Sequence, residues 1–214
     1  QSAPTNNEGY FSLDGVAIKK YIVIPEQFHM NNYGASAHDI HPIGTICHEI
    51  GHVLGLPDLY DTSENSTAGI GAWGLMGSGN WKGQTSPAYM SAWSRYRLGY
   101  LNPLIIKNVT NSEEILFPAE TGSEELTAMI LPMDSNIPQE YLIVENRQKI
   151  GSDQYLEASG LLVWHVDEII TGMYPALNSV NVNPNFYGVS LLQGDSETNI
   201  YAASETATYS YDRD

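Results

Sequence analysis

The chain has 214 residues and a mass of 23.6 kDa, with 9 Lys plus Arg against 25 Asp plus Glu and a formal charge of −16. So acidic a chain repels nucleic-acid phosphates and anionic headgroups, and it contains no run of 18 apolar residues to span a membrane. A composition 42% hydrophobic and 16% charged is that of a folded protein, and the single cysteine, Cys47, excludes an internal disulfide and reads as a small buried hydrophobe.

Residues 1–17 are polar and contain glycine, and read as a ragged start. Residues 18–24 (Ile-Lys-Lys-Tyr-Ile-Val-Ile) predict a strand that Pro25 ends, a candidate edge for an extended substrate. Residues 29–42 read as an irregular loop, with His29, His38 and His41 as solvated side chains. Apolar residues at 43, 46, 47, 50, 53 and 54 recur at spacings of three and four, which predicts a helix from Pro42 or Ile43 to Leu54. Gly55 is its natural left-handed stop, and Pro57 cannot continue it. Residues 55–85 form a long loop with glycines at 69, 71, 74, 77, 79 and 83, and a loop of that length is usually functional. A second helix is expected from Ser86 as N-cap, with Pro87 at its first position, through to Leu98, where Gly99 stops it. Its Tyr89, Trp93 and Tyr96 are spaced for the core. After Pro103 short β-rich runs appear at 104–109, 114–117, 127–131, 141–146, 161–166 and 188–192. The chain therefore divides into 1–101, which holds the chemistry, and a β-rich portion, 102–214, packed on it. Residues 193–214 are polar again.

The chemistry concentrates in His48-Glu49-Ile50-Gly51-His52-Val53-Leu54-Gly55-Leu56-Pro57-Asp58. Two histidines four apart leave the same face of a helix, and two neutral imidazoles there can bind one zinc ion. A catalytic zinc needs a third protein ligand and an open position. Gly55 turns the chain back, and Asp58, three residues on, can supply that ligand. Glu49 sits about 100° around the helix from His48. From there it can reach a water on the metal without ligating it and serve as general base. Residues 71–81 (Gly-Ala-Trp-Gly-Leu-Met-Gly-Ser-Gly-Asn-Trp) add a Gly-flanked turn presenting Met76 as an apolar floor beneath the ligands, which resembles the Met-turn of metzincin peptidases.

Taken with further stretches, these motifs resemble the immune inhibitor A family of secreted bacterial metallopeptidases. The matching segments are HEIGHVLGLPDLYD (48–61), GIGAWGLMGSGNW (69–81), SPAYMSAWSRYRLGYLNP (86–103), YLIVENRQ (141–148), GLLVWHVDE (160–168) and GVSLLQGD (188–195). The resemblance implies an α+β fold with a metzincin-like core of zinc helix, Met-turn and second helix, followed by a β-rich half. It implies a secreted zinc endopeptidase acting on protein or peptide substrates, with Asp58 where metzincins carry a third His, Met76 in the Met-turn, and Ca2+ as a structural ion. Metzincin-like domains place a sheet and a backing helix before the zinc helix, and 47 residues precede His48 here. The expectation is that an upstream fragment of a longer precursor completes the domain.

A competing reading is a non-catalytic module, stabilised by zinc or calcium, that binds an extracellular protein or glycan. Glu49 argues against it, because a structural site has no use for a general base; a fourth ligand such as His38 or His41 would support it. Asp134, Asp153, Asp167, Glu168, Asp195 and Glu197 are loop carboxylates open to calcium, without EF-hand spacing. Asp61 reads as a loop cap, His165 as a packing residue in an apolar strand, and Tyr60 as a donor to a developing oxyanion.

Overall fold

The computed structural model describes residues 11–13, 16–18, 21–28, 39–63, 68–83, 86–106, 113–121, 125–134, 137–173, 178–183 and 185–192. The chain separates into two units, 1–41 and 42–214. The first contains two small antiparallel ladders, β1 (Phe11–Leu13) with β2 (Val16–Ile18) and β3 (Gln27–Phe28) with β4 (Asp39–Ile40). Of the strand expected over 18–24, Ile18 closes β2 and the described residues 21–25 belong to no strand. Tyr21 and Val23 are 60% and 80% exposed. β-propensity needs a neighbouring ladder to act through, and residues 21–25 belong to none. His29 and His38 lie outside the described residues.

The second unit is α+β. Helix α1 runs from Ile43 to Leu54, as its periodicity predicts, and stops at Gly55 with φ +106°. The Gly55 N–H donates to His52 O and the Leu56 N–H to Gly51 O, a left-handed stop that satisfies the last turn. The helix packs on its small side. Gly44, His48 and Gly51 are buried, while Ile43, Ile50 and Leu54 are 44–49% exposed. Nor is Cys47 buried outright: it is half-exposed, its thiol pushed up by what burial it has. The reason is close approach. A methyl on Gly44 would fall 1.8 Å from Asn80 O, and one on Gly51 would fall 2.5 Å from Met76 Sδ. Bulk therefore has to lie on the other face.

The glycine-rich stretch forms two single 3-10 turns, Gly71–Trp73, which is buried, and Ser78–Trp81, in which Gly79 and Asn80 are buried and Trp81 is exposed. Helix α2 spans only Ala92–Arg97, with Ser91 as N-cap accepting from the Ser94 N–H. It begins five residues later than Ser86 and Pro87 suggest. Residues 87–91 stay out of the helix because their backbone is engaged elsewhere: Ala88 N–H donates to Gly79 O, Tyr89 N–H to Asp153 Oδ1, and Tyr89 O accepts from Leu75 N–H. Trp93 is core at 1% exposure, but Tyr96 is exposed and Tyr89 half-buried.

A five-stranded sheet follows, ordered β5 (Leu104–Ile105), β6 (Ala128–Asp134), β7 (Ile137–Arg147), β8 (Gly160–Asp167) and β9 (Val189–Leu191). Strands β5 and β6 are parallel and the rest antiparallel. Five of the six β-rich runs thus contribute strands. The run at 114–117 does not; nearby, Pro118 makes one isolated bridge to Asn146. A short 3-10 turn (Gly151–Tyr155) and helix α3 (Glu168–Met173), whose first N–H groups are capped by Asp167 Oδ1, were not expected. One core joins the sheet to the elements before it: Trp164, Ile143, Val166 and Val189 pack in the same cluster as Leu59, Ile70, Met76 and Trp93.

Charge is buried in that unit. Tyr141, Ile143, Glu145 and Arg147 share one face of β7, so two apolar residues and then two charged ones point inward. Glu145 accepts from Arg95, the Trp164 indole N–H and the Ala92 N–H. Arg147 makes a bidentate pair with Asp153 at 2.5 and 2.6 Å and donates to Trp73 O. This network ties β7 to the start of α2, to the 3-10 turn at 151–155 and to the glycine-rich stretch.

Candidate metal centre

Three side chains that the sequence singles out converge. His48 Nε2 lies 2.9 Å and His52 Nε2 3.2 Å from Asp58 Oδ1. Their candidate donor atoms lie within 4.8 Å of one another, the only such His/Cys/Asp/Glu group among the described residues. His48 and Asp58 are buried and His52 is half-buried. The fourth-ligand candidate His41 is not in the group.

Each ring is turned by a backbone carbonyl. His48 Nδ1 donates to Leu75 O at 2.9 Å, and His52 Nδ1 donates to Leu56 O at 2.8 Å. With the proton of a neutral imidazole on Nδ1, the lone pair is on Nε2, facing Asp58. Two imidazole lone pairs and a carboxylate oxygen then point at one spot. Asp58 Oδ1 is buried with no hydrogen-bond donor. Three converging acceptors repel one another unless a cation or a proton sits between them. This donor set suits a divalent metal of zinc type.

The surrounding charges agree. In the metal-free site a proton on Nε2 of either imidazole takes the cation's place; burial pushes the Asp58 carboxyl up, but hydrogen bonds from the imidazoles so protonated and from Asn178 outweigh it and hold the carboxyl well below the usual range. The Asp58 contact raises His52, against the opposing effect of burial. Tyr60 stacks on His48 with ring centroids 6.3 Å apart. Burial and then the Asp58 charge push its phenol up to about 12, so it stays protonated.

The glycine-rich stretch serves both halves of the site through consecutive carbonyls. Leu75 O orients His48, and Met76 O accepts the N–H of Leu59, next to Asp58. Met76 itself is 1% exposed and lies against Gly51, between the two histidines in sequence. Glu49 follows His48 on α1 and is half-buried.

Sequence reasoning missed Asn178. It lies 120 residues from Asp58 and its side chain meets it twice, accepting the Asp58 N–H at 2.6 Å and donating to Asp58 Oδ2. No local pattern announces such a contact. Several of the carboxylates open to calcium have partners within the protein. Asp61 caps its own turn through the Ser63 N–H and hydroxyl. Asp153 is paired with Arg147, Asp167 caps α3, and Glu168 accepts from Tyr141 and Thr171. His165 stands on β8 with its Nε2 3.6 Å from Glu140. Asp195 and Glu197 lie outside the described residues.

Comparison with known proteins reaches the same region. Residues 7–105 match the family model described as immune inhibitor A peptidase M6, catalytic domain. The chain is similar to the pre-pro-metalloprotease PrtV of two Vibrio cholerae O1 strains, at 38% identity over 80 residues. That alignment covers 34% of this chain and 9% of those proteins, so the chain spans about a tenth of the length of the curated relatives it matches. No solved structure matches significantly.

Proposed function

We propose, on the premise that residues 7–105 belong to the immune inhibitor A peptidase family, that the chain acts as a secreted zinc-dependent endopeptidase on protein or peptide substrates. The observation that carries this reading is the convergence of His48 Nε2, His52 Nε2 and the otherwise unpartnered Asp58 Oδ1. Zinc in that seat supplies Lewis acidity, polarising a peptide carbonyl and acidifying water beside it. His48 and His52 hold their Nε2 lone pairs toward the seat because Leu75 O and Leu56 O fix the other nitrogen. Asp58 contributes one negative charge and leaves the remaining charge positive, as a Lewis acid requires. Glu49 takes a proton from the attacking water and passes it to the leaving amine. The protonated Tyr60 hydroxyl donates to the carbonyl oxygen as negative charge develops there.

Met76 serves as the Met-turn of a metzincin-like core, and 102–214 acts as the portion that braces it. The long reach from sheet to site supports that division: Arg147 on β7 donates to Trp73 O, two residues before the carbonyl that orients His48. The test is hydrolysis of quenched fluorescent casein by the purified chain, with zinc content measured alongside. Glu49→Gln is expected to keep its zinc and lose at least about 100-fold in activity, whereas His48→Ala loses both. A Glu49→Gln protein with wild-type activity would refute the assignment. Zinc retention without any cleavage, even with an upstream precursor segment added, would select the binding-module reading.

A further inference from the structure

We infer that Asn178 is a positioning residue for the metal: its carboxamide grips Asp58 at two points and so decides which carboxylate oxygen faces the imidazoles. This rests on the metal-centre reading above. The Asp58 N–H donates to Asn178 Oδ1 at 2.6 Å, and Asn178 Nδ2 donates to Asp58 Oδ2. With Oδ2 so engaged, Oδ1 is the oxygen left for His48 and His52, at 2.9 and 3.2 Å. An ungripped carboxylate can rotate or offer both oxygens to a metal. A gripped one presents a single oxygen in a set direction, which is how partners behind the ligands tune affinity and geometry.

The anchor is itself braced. Asn178 has φ +50°, the one non-glycine residue with positive φ among those described, a conformation asparagine tolerates better than most. Thr62 Oγ1 donates to Asn178 O at 2.9 Å. Three residues on, the fully buried Asn181 donates from Nδ2 to Leu59 O and to Val189 O, and accepts from the Val189 N–H. Residues 178–181 therefore fasten the loop that carries Asp58 to the edge strand β9. Asn178 and β9 both lie outside residues 7–105, the part that matches the peptidase family. The later part of the chain would then set the third ligand, besides bracing the fold.

The test reads metal binding rather than catalysis. Zinc affinity is measured by competition with a chromogenic chelator, and coordination by the visible absorption of the Co2+-loaded protein. Asn178→Gly removes the amide and accepts the left-handed backbone without strain. Asn178→Asp has nearly the same shape but cannot donate to Oδ2. Both are expected to lose about 10- to 100-fold in zinc affinity and to change the Co2+ band, with the far-UV circular dichroism of the metal-free protein unchanged. Should Asn178→Gly not fold, the isosteric Asn178→Asp carries the test alone. Wild-type affinity and an unchanged Co2+ spectrum in either folded variant would overturn the inference and leave the metal centre standing. Failure of the wild-type chain to bind Zn2+, or unchanged binding by His48→Ala, would overturn the metal centre and this role with it.

Discussion

Replacing Gly51 by alanine sets two effects against each other, and the structure says which one prevails. In a helix interior, alanine is favoured over glycine by about 1 kcal/mol. On sequence grounds alone Gly51→Ala should therefore stabilise the protein. The added methyl, however, would stand 2.5 Å from Met76 Sδ and 3.2 Å from Met76 Cε, with Leu56 Cδ1 behind at 3.7 Å. Met76 is 1% exposed, so its thioether has no open side to retreat to. Overpacking of this kind costs about 1–3 kcal/mol. The expected balance is a net loss of about 1 kcal/mol, read as a melting temperature lower by about 2–4 °C for a chain of this size. The larger effect falls on the site. Moving Met76 shifts the carbonyls of Leu75 and Met76, which hold His48 and Leu59. Zinc affinity by chelator competition should fall about tenfold, the lower end for disturbed partners behind a ligand. Met76→Ala opens room for the methyl, so the double variant should show a favourable coupling of about 1 kcal/mol in a double-mutant cycle. A Gly51→Ala protein that melts higher than wild type and binds zinc equally well would refute the close approach and the reasoning built on it.

Two further outcomes follow from the same structure. Arg147→Met leaves Asp153 buried beside lost partners and should cost about 3–5 kcal/mol, or on the order of 10 °C in thermal melts; Arg147→Met with Asp153→Leu should recover part of this, and a loss under about 2 °C in the single variant would show the network to be unimportant. Zinc at about 100 times its dissociation constant should stabilise the chain by about 2.7 kcal/mol, seen as a higher melting temperature that chelation reverses and that His52→Ala abolishes.

Much of the site was legible because its signals are local. A helix of period 3.6 places residues 48 and 52 on one face by geometry alone, and Gly55 ends the helix where left-handed backbone is needed. Asp58 falls six residues after His52, close enough for a single turn to return it. The five paired β runs were legible for a similar reason, since a strand's alternation and its bounding turns are written in neighbouring residues. Where the reading failed, the chain made long-range commitments. Ser86-Pro87 has the form of a helix start, yet the backbone of 88 and 89 is taken by Gly79, Leu75 and Asp153, and the helix waits until Ser91. Residues 21–24 have strand composition and belong to no ladder. On α1 the apolar positions predict a buried face, but glycines at 44 and 51 allow the opposite side to approach the turn at 78–81 and Met76.

The sequence by itself singled out the candidate groups, two imidazoles, two carboxylates and a methionine in a glycine-flanked turn, and its spacing brings the two imidazoles and one of the carboxylates together. Only the tertiary structure decided how those groups are aimed. The aiming depends on the carbonyls of Leu56, Leu75 and Met76 and on the amide of Asn178. Backbone carbonyls have no residue-specific signature, and a contact across 120 residues leaves no mark on the residues between. Ligand identity is a property of side chains; ligand direction is a property of the packed chain.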